Sequence, residues 1–172
     1  MLFRSYEGKT VAVVGGGNSA LQEALLLSEQ SKKVYVVQNL AFMTGERSLL
    51  ARLEARDNVE IIYSMVVDEL LGESVISGVK IKNPETGDSR TLEVDGIFVA
   101  IGQIPENEPF ADAVKLNSYG YIEAGEDCMP VTELPGIFVA GDCRTKSVRQ
   151  VTTATADGAV AALAACRYVD SM

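Results

Sequence analysis

The chain contains no histidine and no tryptophan. Without imidazole, His-based metal sites, Ser-His-Asp and Cys-His triads, and histidine proton shuttles are excluded. Cysteine is scarce. Cys128, Cys143 and Cys166 are widely spaced, with no C-x-x-C among them, so neither a zinc knuckle nor a dithiol redox pair is encoded. Positive charge is also short, 15 Lys and Arg against 24 Asp and Glu, for a net charge of −9 and a pI near 4.5. An average surface of that sign repels polyanions, which argues against nucleic acid as a partner. No apolar run reaches the roughly 18 residues of a membrane span. No basic-then-apolar leader opens the sequence. The expectation is a cytoplasmic protein with no membrane role. What is present is a globular composition, 47% hydrophobic and 23% charged over 172 residues, enough for one ordinary domain or two small ones.

The informative stretch is VAVVGGGNSALQEALLLSEQ, Val11 to Gln30. Val11–Val14 is a short continuous apolar run, the pattern of a strand buried on both faces. From Ser19 to Gln30, the spacing of Ala20, Ala24, Leu25 and Leu27 fits a helix packed on that strand, with Asn18 or Ser19 available as its cap. Lys33–Val37 reads as a second strand, Arg47–Arg56 as a second helix and Val59–Ile62 as a third strand. This order predicts a doubly wound, Rossmann-like α/β half-fold. The period then changes. Val75–Lys82 alternates, Asn83–Asp88 is turn-rich, and Arg90–Val94 returns, which is a β-meander with one solvated face. Gly96–Gly102 (GIFVAIG) reads as another buried strand, and Gln103–Pro109 as a linker. Gly136–Asp142 (GIFVAGD) nearly repeats that strand, and an Ala-rich helix is expected from about Val148 to Val169. One strand and one helix are too little to enclose a core, so this part needs a cover.

Gly15-Gly16-Gly17-Asn18-Ser19-Ala20 matches G-x-G-x-x-A between a strand and a helix. Gly15 permits the tight turn, Gly17 lets the backbone approach a pyrophosphate, and Ala20 allows close helix–strand packing. The helix N-terminus then offers free N–H groups and a positive dipole end to phosphates. A turn serving only close packing is the competing reading, and the strand–helix context favours the dinucleotide. A carboxylate at the end of the second strand would select NAD, and arginines there NADP. The strand instead runs out into Gln38-Asn39-Leu40, whose amides can bond ribose hydroxyls without strong discrimination. Arg47 reads as a surface helix residue.

Three blocks, GKTVAVVGGGNSALQEALLL, VDGIFVAIGQIPEN and LPGIFVAGDCRTKSVRQVTTATADGAVAALAA, resemble bacterial thioredoxin reductase and related pyridine nucleotide-disulfide flavoproteins in order and spacing. The resemblance covers nearly the whole chain. It implies a NAD(P)-binding domain over residues 1–104, and over 105–172 an incomplete returning half of an FAD-binding domain. It implies that Gly15, Gly17, Asn18, Ser19 and Ala20 hold the pyrophosphate of NAD(P)H, and that Ala100, Ile101 and Gly102 approach its nicotinamide half. Gly141 and Asp142 correspond to the FAD ribityl–phosphate contact, and Arg149, Gln150 and Val151 to a helix start facing the flavin. For Asp142, capping a turn is an equal alternative.

The departures are equally specific. The family's N-terminal FAD glycine motif and its C-x-x-C pair, which lies just ahead of the part corresponding to Met1, have no counterpart here. A fragment, or one piece of a split protein, is therefore expected. Where the family carries His-Arg-Arg-x-x-x-Arg for the 2′-phosphate, this chain has Gln38, Asn39, Leu40 and Thr44. NADH, or an altered donor such as ferredoxin, thus competes with NADPH. The resemblance implies hydride transfer from NAD(P)H to FAD and onward to a thioredoxin-like disulfide protein, with little disulfide reductase activity expected of this chain alone. The alternatives are a non-catalytic nucleotide-binding module, or a subunit of a split or ferredoxin-linked flavoprotein. A homodimer or a complementing FAD-domain half is the expected partner.

Overall fold

A computed structural model describes residues 3–132 and 134–172. Two compact units follow one another, one running to Gly102 and one from Gln103.

In the first unit β1 (Thr10–Val14), α1 (Asn18–Ser28), β2 (Lys33–Val37), α2 (Arg47–Glu54) and β3 (Val59–Ile62) alternate as the sequence predicts. Next come β4 (Val66–Leu71), β5 (Gly78–Lys82), β6 (Ser89–Glu93) and β7 (Gly96–Val99). Strands β3, β2, β1 and β7 form a wholly parallel sheet in that order, and β4, β5 and β6 an antiparallel one. The alternation of β1 explains how both faces are filled. Val11 and Val13 pack with Leu21, Leu25 and Leu53 from the two helices. Ala12, between them, faces the cluster of Val79, Ile81 and Leu92 from the antiparallel sheet. Each fully buried leucine contributes roughly 1.5–3 kcal/mol. Arg90 of β6 ties the two sheets from outside, donating to Glu60 of β3 at 2.6 Å, while Lys33 of β2 stands 3.3 Å from the same carboxylate. That double pairing, led by the Arg90 hydrogen bond, holds the Glu60 carboxyl below its ordinary range.

Four expectations need correction. Strand β4 was not foreseen, because VVDELL carries two acids and a bulge between Val67 and Glu69 that interrupts its alternation. Strand β7 is an edge strand, so Val99 is exposed rather than buried on both faces. The α1 cap is Gly17, with no side-chain hydrogen bond, and the Asn18 side chain turns elsewhere. Finally, Gly136–Asp142 forms no strand. It finds no ladder partner among the described residues, and its one sheet-like bond runs from Val139 N–H to Cys128 O at 3.0 Å.

The second unit has a small cluster of Val114, Ile122 and Val139, short isolated bridges, and α3 (Val151–Asp170). Asp157 is the one buried residue described on α3, while Val151, Leu163 and Val169 are exposed. No helix among the described residues is long and apolar enough to cross a membrane.

Candidate functional site

A cleft of about 620 Å³ opens at the carboxyl ends of β1, β2 and β7. The chain leaves β1 toward β2 and β3 on one side and returns to β7 on the other, so this is the switch point at which open α/β sheets bind ligands.

The glycine turn makes one wall. Gly15 sits at φ +132°, and a Cβ there would strike the Ala100 carbonyl oxygen across the β1–β7 seam. At Gly16 a Cβ would strike the Gln38 amide. Gly17 is different: its backbone is ordinary extended chain (φ −85°, ψ −179°), and a Cβ would meet only Thr44 Oγ1 at 3.8 Å. Among the described residues no contact accounts for glycine at 17, yet it lines the cleft at the N-terminus of α1. The first N–H to close the helix is that of Leu21, onto Gly17 O at 3.0 Å, so the N–H groups before it have no partner within the helix.

Residues 38–46 make the facing wall. Gln38 is 4% exposed; its Nε2 donates to Phe42 O at 3.1 Å and its Oε1 accepts from Asn39 N–H at 3.1 Å. Its amide therefore closes the turn after β2, in which Asn39, Leu40, Ala41 and Phe42 are all exposed. The N–H groups of Thr44 and Gly45 both donate to Gly16 O at 2.9 Å, which fixes this segment to the glycine turn. Asn18 completes the attachment. Its Oδ1 accepts from Glu46 N–H at 2.7 Å and its Nδ2 donates to Glu46 Oε1 at 3.2 Å, coupling the starts of α1 and α2. Gly15, Gly17, Asn18, Ser19, Gln38, Asn39, Ile101 and Gly102 thus come together in one cleft. Ala20 lies fully buried in the core beside it.

Gly141, Asp142, Arg149, Gln150 and Val151 belong to the second unit and gather around the start of α3. Gln150 is the N-cap of that helix in a capping box with Thr153. The Arg149 guanidinium lies 3.9 Å from the Tyr121 ring centroid, and Val151 is exposed. The turn-capping alternative for Asp142 is not realised: its carboxylate stands 3.5 Å from Lys146 Nζ. The residue that holds this turn is Asp157, which accepts from Gly141 N–H at 3.1 Å, from Arg144 through both oxygens at 2.9 and 3.0 Å, and from Lys146 at 2.9 Å. These donors, Arg144 foremost, hold its carboxyl far below the ordinary range. Sequence reasoning missed Asp157, Arg144 and Lys146, although a lone acid in the Ala-rich run TATADGAVAALAA is a visible signal. Gly16 it named within the glycine motif without giving it a role, and Thr44 only as the residue standing where the family carries an arginine. Cys128 is buried, and burial pushes its thiol up, away from the reactive thiolate.

Residues 2–158 match the family model described as pyridine nucleotide-disulphide oxidoreductase. Among curated relatives, a 34.2 kDa protein in the rubredoxin operon of Clostridium pasteurianum is 38% identical over 95% of this chain and 53% of its own length. The thioredoxin reductase of Coxiella burnetii is 37% identical over 97% of this chain and 54% of its own. Among solved structures, Lactococcus lactis thioredoxin reductase superposes with a TM-score of 0.86 at 30% identity, covering 99% of this chain and 56% of that one. The T. acidophilum thioredoxin reductase gives 0.81 at 33%, covering 98% and 55%. The chain therefore spans about half the length of the relatives it matches. With the glycine turn, the switch-point cleft and this match in agreement, the chain belongs to the pyridine nucleotide-disulphide oxidoreductase family and is thioredoxin reductase-like.

Proposed function

We propose that the first unit is the pyridine nucleotide-binding domain of a thioredoxin reductase-like flavoprotein. The observation that carries this is Gly17, a glycine that no contact among the described residues requires, set at a helix N-terminus in the switch-point cleft. The cleft fits the cofactor chemically. Free N–H groups at the start of α1 and the helix dipole meet a pyrophosphate, Asn39 meets the ribose hydroxyls, and Ile101 and Gly102 border the nicotinamide end. When bound, reduced pyridine nucleotide supplies a hydride, which in a flavoprotein passes to FAD and then as an electron pair to a disulfide. The chain's own contribution is to seat and orient the nucleotide.

The second unit supports a partial flavin site on the same reading. The Asp142 backbone carbonyl accepts from Arg149 Nε at 3.4 Å, just ahead of the α3 start at Gln150 and Val151. A disulfide-bearing protein of the thioredoxin kind is the proposed electron acceptor of the full enzyme. A complementing FAD-domain half or a second copy is the proposed cover for α3. These 172 residues hold no C-x-x-C, so the chain is expected to bind reduced pyridine nucleotide yet to leave a thioredoxin disulfide unreduced. Nicotinamide fluorescence titration and a thioredoxin-coupled thiol assay check the two halves. Absence of nucleotide binding contradicts the first, and FAD-dependent disulfide turnover by this chain the second.

A further inference from the structure

We infer that the adenosine end of the cleft selects the unphosphorylated dinucleotide, NADH over NADPH, an inference that rests on the nucleotide reading above. A 2′-phosphate carries about −1.5 to −2 charges at pH 7. Leaving water, it needs cations or N–H donors to replace its hydration. The ribose of a nucleotide seated on the Gly15–Ala20 turn arrives at the end of β2. The side chains lining the cleft there are Gln38, Asn39, Leu40 and Thr44, and no Lys or Arg is among the described lining residues. Gln38 has little to offer, since its buried amide already bonds Phe42 O and Asn39 N–H. Leu40, 39% exposed, removes water from a phosphate without replacing a hydrogen bond.

Asn39 fits ribose hydroxyls well. It is exposed and lines the cleft, and one amide can accept from one hydroxyl while donating to the other. Arg47, exposed at the first position of α2, is not part of the lining. The net charge of −9 adds a background field that disfavours the extra anion. The selection is therefore by omission: ordinary hydrogen bonds for a diol, and no counter-charge for a phosphate.

The test is separate calorimetric titration of the full 172-residue chain with NADH and with NADPH at one fixed ionic strength, beside the variant Leu40→Arg. NADH is expected to bind at least about tenfold more tightly, and Leu40→Arg to narrow that ratio by about tenfold. Equal or tighter NADPH binding by the unaltered chain overturns the selectivity while leaving the nucleotide site standing. A ratio unmoved by Leu40→Arg overturns its assignment to the turn after β2. Binding of neither nucleotide overturns the proposed function, and this inference with it.

Discussion

At Gly15 a positive φ and the nearness of the Ala100 carbonyl both demand glycine, and at Gly16 the Gln38 amide does so. Gly17 has no such neighbour. The G-x-G-x-x-A pattern names the first and third of these positions, and their chemistry follows from general backbone physics. The middle glycine was not legible, because its reason is a side chain 22 residues downstream. Substituting Gly16→Ala forces the buried Gln38 amide off Phe42 O, leaving that amide unpaired. The expected cost is about 1–3 kcal/mol, read by urea denaturation; an unchanged midpoint contradicts the role given to Gln38. Asn18 shows the same limit. Its position suggests a cap for its own helix, yet its side chain fastens the start of another.

Two near-identical strings show at the scale of elements why strands are not local. GIFVAIG contains β7, since β1 offers an unpaired edge in register from Val11 to Val14. GIFVAGD stays irregular, since no neighbouring strand among the described residues offers one. The helices were easier to read, because their hydrogen bonds close within the segment and their apolar spacing is visible in the string. Helix α3 is fastened chiefly at Asp157, through Arg144, Lys146 and Gly141. The neutral substitution Asp157→Asn leaves two cations in a nearly closed site, and a loss of about 3–5 kcal/mol is expected by chemical denaturation. The pH sign follows from the depressed carboxyl. Its contribution is complete above the unfolded value of about 3.9 and is lost as pH falls toward the folded one. Stability of the second unit should therefore drop in acid, and Asp157→Asn should flatten that drop. A variant as acid-sensitive as the parent contradicts this assignment.

For the whole molecule, the doubly wound half and most of the meander were readable from periodicity and turn chemistry, while in the second unit only the Ala-rich helix was. Its small core of Val114, Ile122 and Val139 and its exposed α3 residues leave little burial for local rules to predict. The cleft itself is a property of the parallel sheet, since three strand ends and two loops must meet before it exists. On the proposed function, nucleotide binding in the cleft turns on the open space at Gly17. The most direct measurement pairs the thermal stability of Gly17→Ser with its affinity for NADH by calorimetry. Serine is a favoured N-cap and its Cβ meets only Thr44 Oγ1 at 3.8 Å, so stability should hold or rise by up to about 1 kcal/mol. The same side chain stands where the pyrophosphate must approach, so affinity should fall by about tenfold or more. A folded Gly17→Ser chain that binds NADH as tightly as the unaltered one would contradict the account.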